Sequence, residues 1–322
     1  YLSLISGTFA ASVTVACFYC ICYAFYRNYT EGDPATLAYS FSENFGLKNT
    51  FGLYWDYFSY SELARPLKLH PTYFSIFTVF TVFILVHRLM RPGTMQPWNS
   101  AGILILILFL LLFTLLLSSR IIIFGFILSM AVLFVMHFFK HGISRKHLAL
   151  TAGAFVVVVI LLFLLPVTRY RLLTETASLF GRGEPTAETG VSQRSLVWST
   201  ATQIARNNAI TGTGVGDVQP TLNKAYSAQN HPELVGLNAH NQFLQTQLGI
   251  GLIGLLLLLL IFLYPLILSV RRGDTLRTAF LVLVLMASFT EAILQNNKGI
   301  VFFSFFYCFL FLGYTQKAEQ HP

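Results

Sequence analysis

From about Ala101 to Phe139 the chain is almost unbroken hydrocarbon, with one polar interruption, "SSR", at residues 118–120. A single helix over that stretch would be about 60 Å long at 1.5 Å per residue, twice the hydrocarbon thickness of a bilayer, about 30 Å. The chain must therefore reverse, and "SSR" is the place for it. Ser118 and Ser119 can cap the helix that comes next, which puts Arg120 at a membrane interface instead of the bilayer centre. There it escapes most of the ~2.5–3.5 kcal/mol that mid-membrane burial of an arginine costs. Two roles are open to it, an anchor on lipid headgroups or a ligand for an anion.

The rest of the chain is built the same way. It is 55% hydrophobic and only 11% charged, too apolar for a soluble domain to hide. Spans are predicted at residues 2–26, 72–90, 100–118, 120–139, 147–166, 242–269, 277–294 and 299–314, which makes the fold all-α, a polytopic transmembrane helical bundle. Cys17, Cys20, Cys22 and Cys308 lie inside apolar runs, so the Cys17–Cys20 spacing reads as packing, not redox or zinc chemistry. The chain opens on Tyr1 within an apolar segment, which suggests that N-terminal spans are missing.

Loop charge orders the topology. "HRLMRPG", "KHGISRKH" and "RRGDTLR" are short and basic and are expected on the cytoplasmic side. The long connections, residues 27–71 and 167–241, then face outward together with Arg120. Three regions result: 1–166, transmembrane helices with the outer loop 27–71; 167–241, a large outer loop with an amphipathic helix; and 242–322, the C-terminal transmembrane helices. The net charge of +8 fits anionic membrane lipids and an anionic substrate, and no nucleic acid partner is expected.

The second outer loop carries "VSQRSLVWSTATQIARNN". Ser192 is its expected cap, Val197, Ala201, Ile204 and Ala205 its apolar stripe, and Arg194 and Trp198 stand one turn apart beside that stripe. Arg194 therefore starts near the buried side, although stacking on Trp198 is an alternative use for it. "GTGVGD" comes next, a glycine-rich turn with neither a strand before it nor a helix starting on it, so no dinucleotide fingerprint. His240 and Asn241 sit where the chain re-enters the membrane, and Gly249, Gly251 and Gly254 form a small-residue surface for close packing. "FTEAILQNNKG" brings Glu291 and Lys298 to another outer turn, and "KLHPTYFS" brings His70 and Tyr73 to the outer start of a span. His231 and His240 lack an accompanying acidic or cysteine cluster, so no metal is expected.

Two arginines and a histidine on one membrane face suit a lipid-linked diphosphate. Arginine grips phosphate oxygens with a rigid fork and stays charged. A departing diphosphate needs electrostatic stabilisation more than a proton, whereas an acceptor hydroxyl must lose one, and an imidazole can take it.

The outward "SSR", the arginine-headed "SQRSLVWSTATQIARNN" with its "GTGVGD" turn, and "AHNQFLQTQLGIGLIG", in that order, resemble the bacterial O-antigen ligase family, which includes related polymerases and protein O-oligosaccharyltransferases. The likeness runs over about residues 100–270, and "HPTYFS" is familiar from one branch. The resemblance implies a GT-C-like, metal-independent, inverting glycosyltransferase of the bacterial inner membrane, with no cofactor and its active site facing the periplasm. It would move a glycan from undecaprenyl diphosphate to a hydroxyl of lipid A core, of another glycan or of a protein. On that pattern Arg120 and Arg194 would hold the diphosphate and His240 would act as base or position the acceptor. Asn241, Glu291, Lys298, His70 and Tyr73 would support them. The outer loop is short for the family.

Ligation ranks ahead of polymerisation and protein glycosylation because the single long outer loop ends in "AHNQFL". A transporter or flippase for lipid-linked sugars is the reading from another class. It would call for polar groups in mid-membrane and repeat-related halves, and neither is evident in the sequence.

Overall fold

Apolar runs of this length have one stable solution in lipid, helices that satisfy their own backbone polar groups. A computed structural model of the protein describes residues 2–32, 53–90, 97–141 and 190–311, and among these every regular element is helical. Among the described residues, five helices are long and apolar enough to cross a membrane. The expected span at 147–166 lies outside the described residues, as do 33–52 and 167–189 of the two long loops. The chain forms two units, residues 1–176 and 177–322.

In the first unit α1 (Leu2–Thr30) is joined to the later long helices by a short helix, α2 (Tyr60–Ala64), and a 3-10 turn, Arg65–Leu67. The other long helices are α3 (Pro71–Leu89), α4 (Pro97–Leu117) and α5 (Arg120–His141). Helix α3 is the most enclosed of them, packing on α1, α4 and α5. Its Thr78 meets Thr114 of α4, hydroxyl to hydroxyl, at 2.8 Å, which satisfies two buried polar groups at once. Cys17 and Cys20 are fully buried in the same core, beside Phe74, Leu110 and Phe113, the packing role expected of them. Helix α1 runs on to Thr30, so Arg27 belongs to it and not to a loop.

The second unit contains α6 (Gly190–Asn207), α7 (Val218–Ala228), α8 (Gln242–Arg272), α9 (Thr275–Ser288) and α10 (Asn297–Phe311). Helix α6 is amphipathic as predicted. Val197, Ala201 and Ala205 are buried and Ile204 packs beside them, against Leu222 and Tyr226 of α7 and Leu248 of α8. Ser192 lies inside the first turn of α6, which starts at Gly190, so it is not the cap. Helix α7 is an addition to the expected elements. It starts right after "GTGVGD", at Val218, because Val218, Leu222 and Tyr226 form a second, short apolar stripe.

The two C-terminal spans are also shorter than predicted, 14 and 15 residues. The first stops at Ser288, where the polar "TEAILQNN" begins, and residues 289–296 form a turn in place of its last two helical turns. At the other end of α9 the hairpin from α8 closes on Gly273, whose φ of 69° terminates α8. Asp274 completes it, its carboxylate accepting from Arg277 N at 3.1 Å.

Candidate active site

The polar segment "LNAHNQFLQ" orders the entry into α8. Asn241 is the N-cap: its Oδ1 accepts from the amides of Phe243 and Leu244 at 2.9 and 3.0 Å. Its Nδ2 donates to the carbonyl of Phe289 at 3.1 Å, which ties the cap to the turn after α9. Two further side-chain amides stitch the same segments together. Gln242 Oε1 accepts from Leu294 N at 2.7 Å, and Asn238 Nδ2 donates to Gln295 Oε1 at 2.9 Å. A third braces the entry itself, Gln245 Oε1 accepting from Ala239 N at 3.0 Å. Gln242 and Gln245 are buried, where an unpaired amide would be costly. Sequence reasoning missed them. The signal available was the run of amide side chains itself, which is unusual at the mouth of a membrane helix.

This stitching fixes His240. Its φ is +42°, a left-handed conformation that few non-glycine residues adopt. The strain is held by Asn238 Oδ1, which accepts from His240 N at 2.9 Å, and by Trp198 Nε1, which donates to His240 O at 3.4 Å. The imidazole is thereby aimed at the 289–296 turn. His240 Nδ1 lies 3.5 Å from Glu291 Oε2, and the other carboxylate oxygen, Oε1, lies 3.4 Å from Arg194 Nη2. Glu291 is buried, while the Arg194 and His240 side chains keep 29% and 28% of their surface exposed. One sequestered carboxylate is thus shared by two half-open basic groups. Both contacts are longer than the 2.7–2.9 Å usual for charge-assisted hydrogen bonds, so neither partner is locked.

Helix α6 delivers Arg194 to this point, and the "GTGVGD" turn sets where α6 ends. Helix α8 is broken at Gly251, with φ 71° and ψ −160°, a region open essentially to glycine alone. An unbroken helix would bond Leu252 N–H to the Leu248 carbonyl. Instead Leu252 N donates to Ala209 O at 2.8 Å, while Leu248 O accepts from Thr213 N at 2.6 Å and from its hydroxyl at 3.0 Å. Gly214 N reaches Gly249 O at 3.2 Å. The turn thus supplies the backbone partners that the kink releases, as apolar surroundings require. The approach leaves no room for side chains: a Cβ on Gly212 would stand 2.6 Å from Leu248 O, and one on Gly251 would run into Ile210 O. Gly249 and Gly251 therefore receive this turn, not another membrane helix.

The remaining predicted residues divide between the two units. In the first, Arg120 is the opening residue of α5 and half-exposed. Ser118, at φ +51°, donates back to Leu115 O at 3.0 Å and so closes α4, and the Ser119 hydroxyl meets Thr72 Oγ1 at 3.5 Å. That contact sets the Arg120 turn beside the start of α3, where His70 is the N-cap and accepts from Thr72 N at 3.4 Å. Buried Tyr73 stands edge-on to the His70 ring, 6.3 Å between centroids. In the second unit Lys298 is exposed in the first turn of α10, and its backbone N donates to Asn296 Oδ1 at 3.1 Å. His231 pairs with Glu233 at 2.9 Å. The contact lowers the Glu233 carboxyl, after the larger effect of its own backbone amide.

No curated protein matches the chain. Residues 104–259 match the family model described as O-antigen ligase. That stretch runs from α4 through the Arg120 turn, α6 and the glycine turn to His240 and the kinked part of α8. Over residues 104–259 the chain is similar to the O-antigen ligase family, a membrane protein family, and that likeness supports a membrane glycosyltransferase of the ligase and polymerase type.

Proposed function

We propose that the protein transfers a glycan from undecaprenyl diphosphate to an acceptor hydroxyl at the periplasmic face of the bacterial inner membrane, as an O-antigen ligase in lipopolysaccharide or surface polysaccharide assembly. The observation that carries this reading is the cluster of Arg194, Glu291 and His240, two accessible basic groups around one buried carboxylate. In the reaction His240 takes the proton of the acceptor hydroxyl, and the oxygen attacks the anomeric carbon from the side opposite the diphosphate, inverting its configuration. The glycosidic bond to phosphate breaks, and the diphosphate departs as an anion neutralised by arginine, Arg194 and with it Arg120. Arginine supplies the charge here, so transfer is expected to persist in EDTA.

Lipid A core is the proposed acceptor, and a growing glycan or a protein hydroxyl would use the same chemistry. The test is transfer by purified protein from a lipid-linked glycan, with lipid A core, free glycan and protein offered in parallel. Arg120→Ala, Arg194→Ala and His240→Ala should each abolish transfer while leaving the protein in the membrane. Full activity in all three would overturn the mechanism.

A further inference from the structure

We propose that Glu291 is the positioning residue that sets which nitrogen of His240 carries the proton, so that Nε2 is the base. The inference rests on the glycosyl-transfer reading of the same site and assigns a role that this reading leaves open. A neutral imidazole has one N–H and one lone pair, and only the lone pair can accept a proton from a hydroxyl. Which nitrogen keeps the hydrogen is decided by what each of them faces.

In this protein the two nitrogens are not equivalent. Nδ1 is shut off from solvent and makes no hydrogen bond among the described residues, yet it points at Glu291 Oε2 from 3.5 Å. The 28% exposure of the side chain therefore belongs to its other atoms. A carboxylate can only accept, so a proton on Nδ1 is favoured and the lone pair is left on Nε2. A bond of this kind is often long in an empty site and shortens once the substrate is in place. When Nε2 takes the acceptor's proton, the imidazolium that forms faces the same carboxylate, which stabilises it.

Arg194 makes the arrangement directional. Its guanidinium can only donate, and it faces Oε1, the other oxygen of the same carboxylate. Replacing Glu291 by glutamine keeps the shape. Arg194 would hold the amide oxygen toward itself, turning the NH2 toward His240 Nδ1. That nitrogen must then accept, the ring proton moves to Nε2, and the base is lost. The left-handed backbone of His240 and its main-chain bonds to Asn238 and Trp198 hold the direction in which the side chain leaves the chain.

The experiment is 15N NMR of histidine-labelled protein in detergent, with the His240 signals assigned by their loss in His240→Ala, alongside kcat for transfer. Wild type should show the proton on Nδ1, and finding it on Nε2 would overturn the proposal whatever the variants do. Glu291→Gln should shift it to Nε2 and lower kcat by on the order of 10⁴-fold, the scale of the equivalent change in a serine protease triad, with KM for the donor little changed. Glu291→Asp should keep the Nδ1 proton and regain part of the rate. Wild-type kcat in Glu291→Gln, with Arg194→Ala and His240→Ala dead, would end the positioning role and leave the glycosyl-transfer reading standing. Activity in those two as well would remove that reading itself.

Discussion

Arg27 in the first unit and Arg194 in the second both face carboxylates, and the two are built to opposite ends. Arg27, near the end of α1, is 2% exposed. Its Nε and Nη2 bind Glu31 at 2.8–2.9 Å, its Nη1 binds Glu62 of α2, and its guanidinium lies 4.6 Å above the Tyr57 ring. All three guanidinium nitrogens are used. Arg194 is 29% exposed and touches one carboxylate at 3.4 Å, which it shares with His240. A saturated arginine holds helices together, whereas one with slack contacts and open surface has donors to offer a ligand. The same side chain thus serves structure in one unit and is available for chemistry in the other, and the number and length of its contacts tell the two apart.

The comparison breaks most visibly in stability. Arg27→Ala removes the buried guanidinium, leaving Glu62 paired with Arg65 at 3.2 Å, and should cost about 3 kcal/mol, the low end for a broken buried pair because Glu31 is half-exposed. Arg194→Ala should cost under about 1 kcal/mol, as a partly exposed pair does. Melting curves of the two solubilised variants test this, and equal losses would erase the distinction. The Arg27 hydrogen bonds also hold the Glu31 carboxyl below the ordinary carboxylate range. That contribution is complete above the range and disappears as pH falls through the lowered value, so the gap between wild type and Arg27→Ala should narrow on acidification.

Next in size is the glycine contact that seats α6. Gly251→Ala forces a side chain into a conformation and a space that exclude one, and should cost on the order of 1–3 kcal/mol. Transfer should fall with it, because α6 carries Arg194. A melting temperature and activity both unchanged would mean that the turn does not set the site. Smallest is His70→Ala, the loss of one helix cap, about 1 kcal/mol. Its transfer rate per folded molecule should stay at the wild-type level, and a large fall in that rate would instead place His70 in the chemistry.

How much of this could be read from residues alone differs along the chain. The spans of α1, α3, α4, α5 and α8 were legible to within a few residues, since hydrocarbon length is a direct physical ruler. So was the apolar stripe of α6. The break at Ser288 was not, because an apolar count does not weigh the buried amides that pull residues 289–296 into a turn. The two serines before Arg120 mark a reversal, yet whether a hydroxyl caps the next helix or closes the previous one depends on a left-handed φ that no residue type announces.

The sequence alone determined that this chain lives in lipid, where it turns, and which ionisable residues it can spare for a surface. Those properties come from transfer free energies, which belong to single residues. Only the tertiary structure decided that Glu291, 97 residues from Arg194 and 51 from His240 in the chain, faces both of them. That is a matter of long-range geometry, fixed by a cap, a kink and a handful of amide bonds between segments that are far apart along the chain.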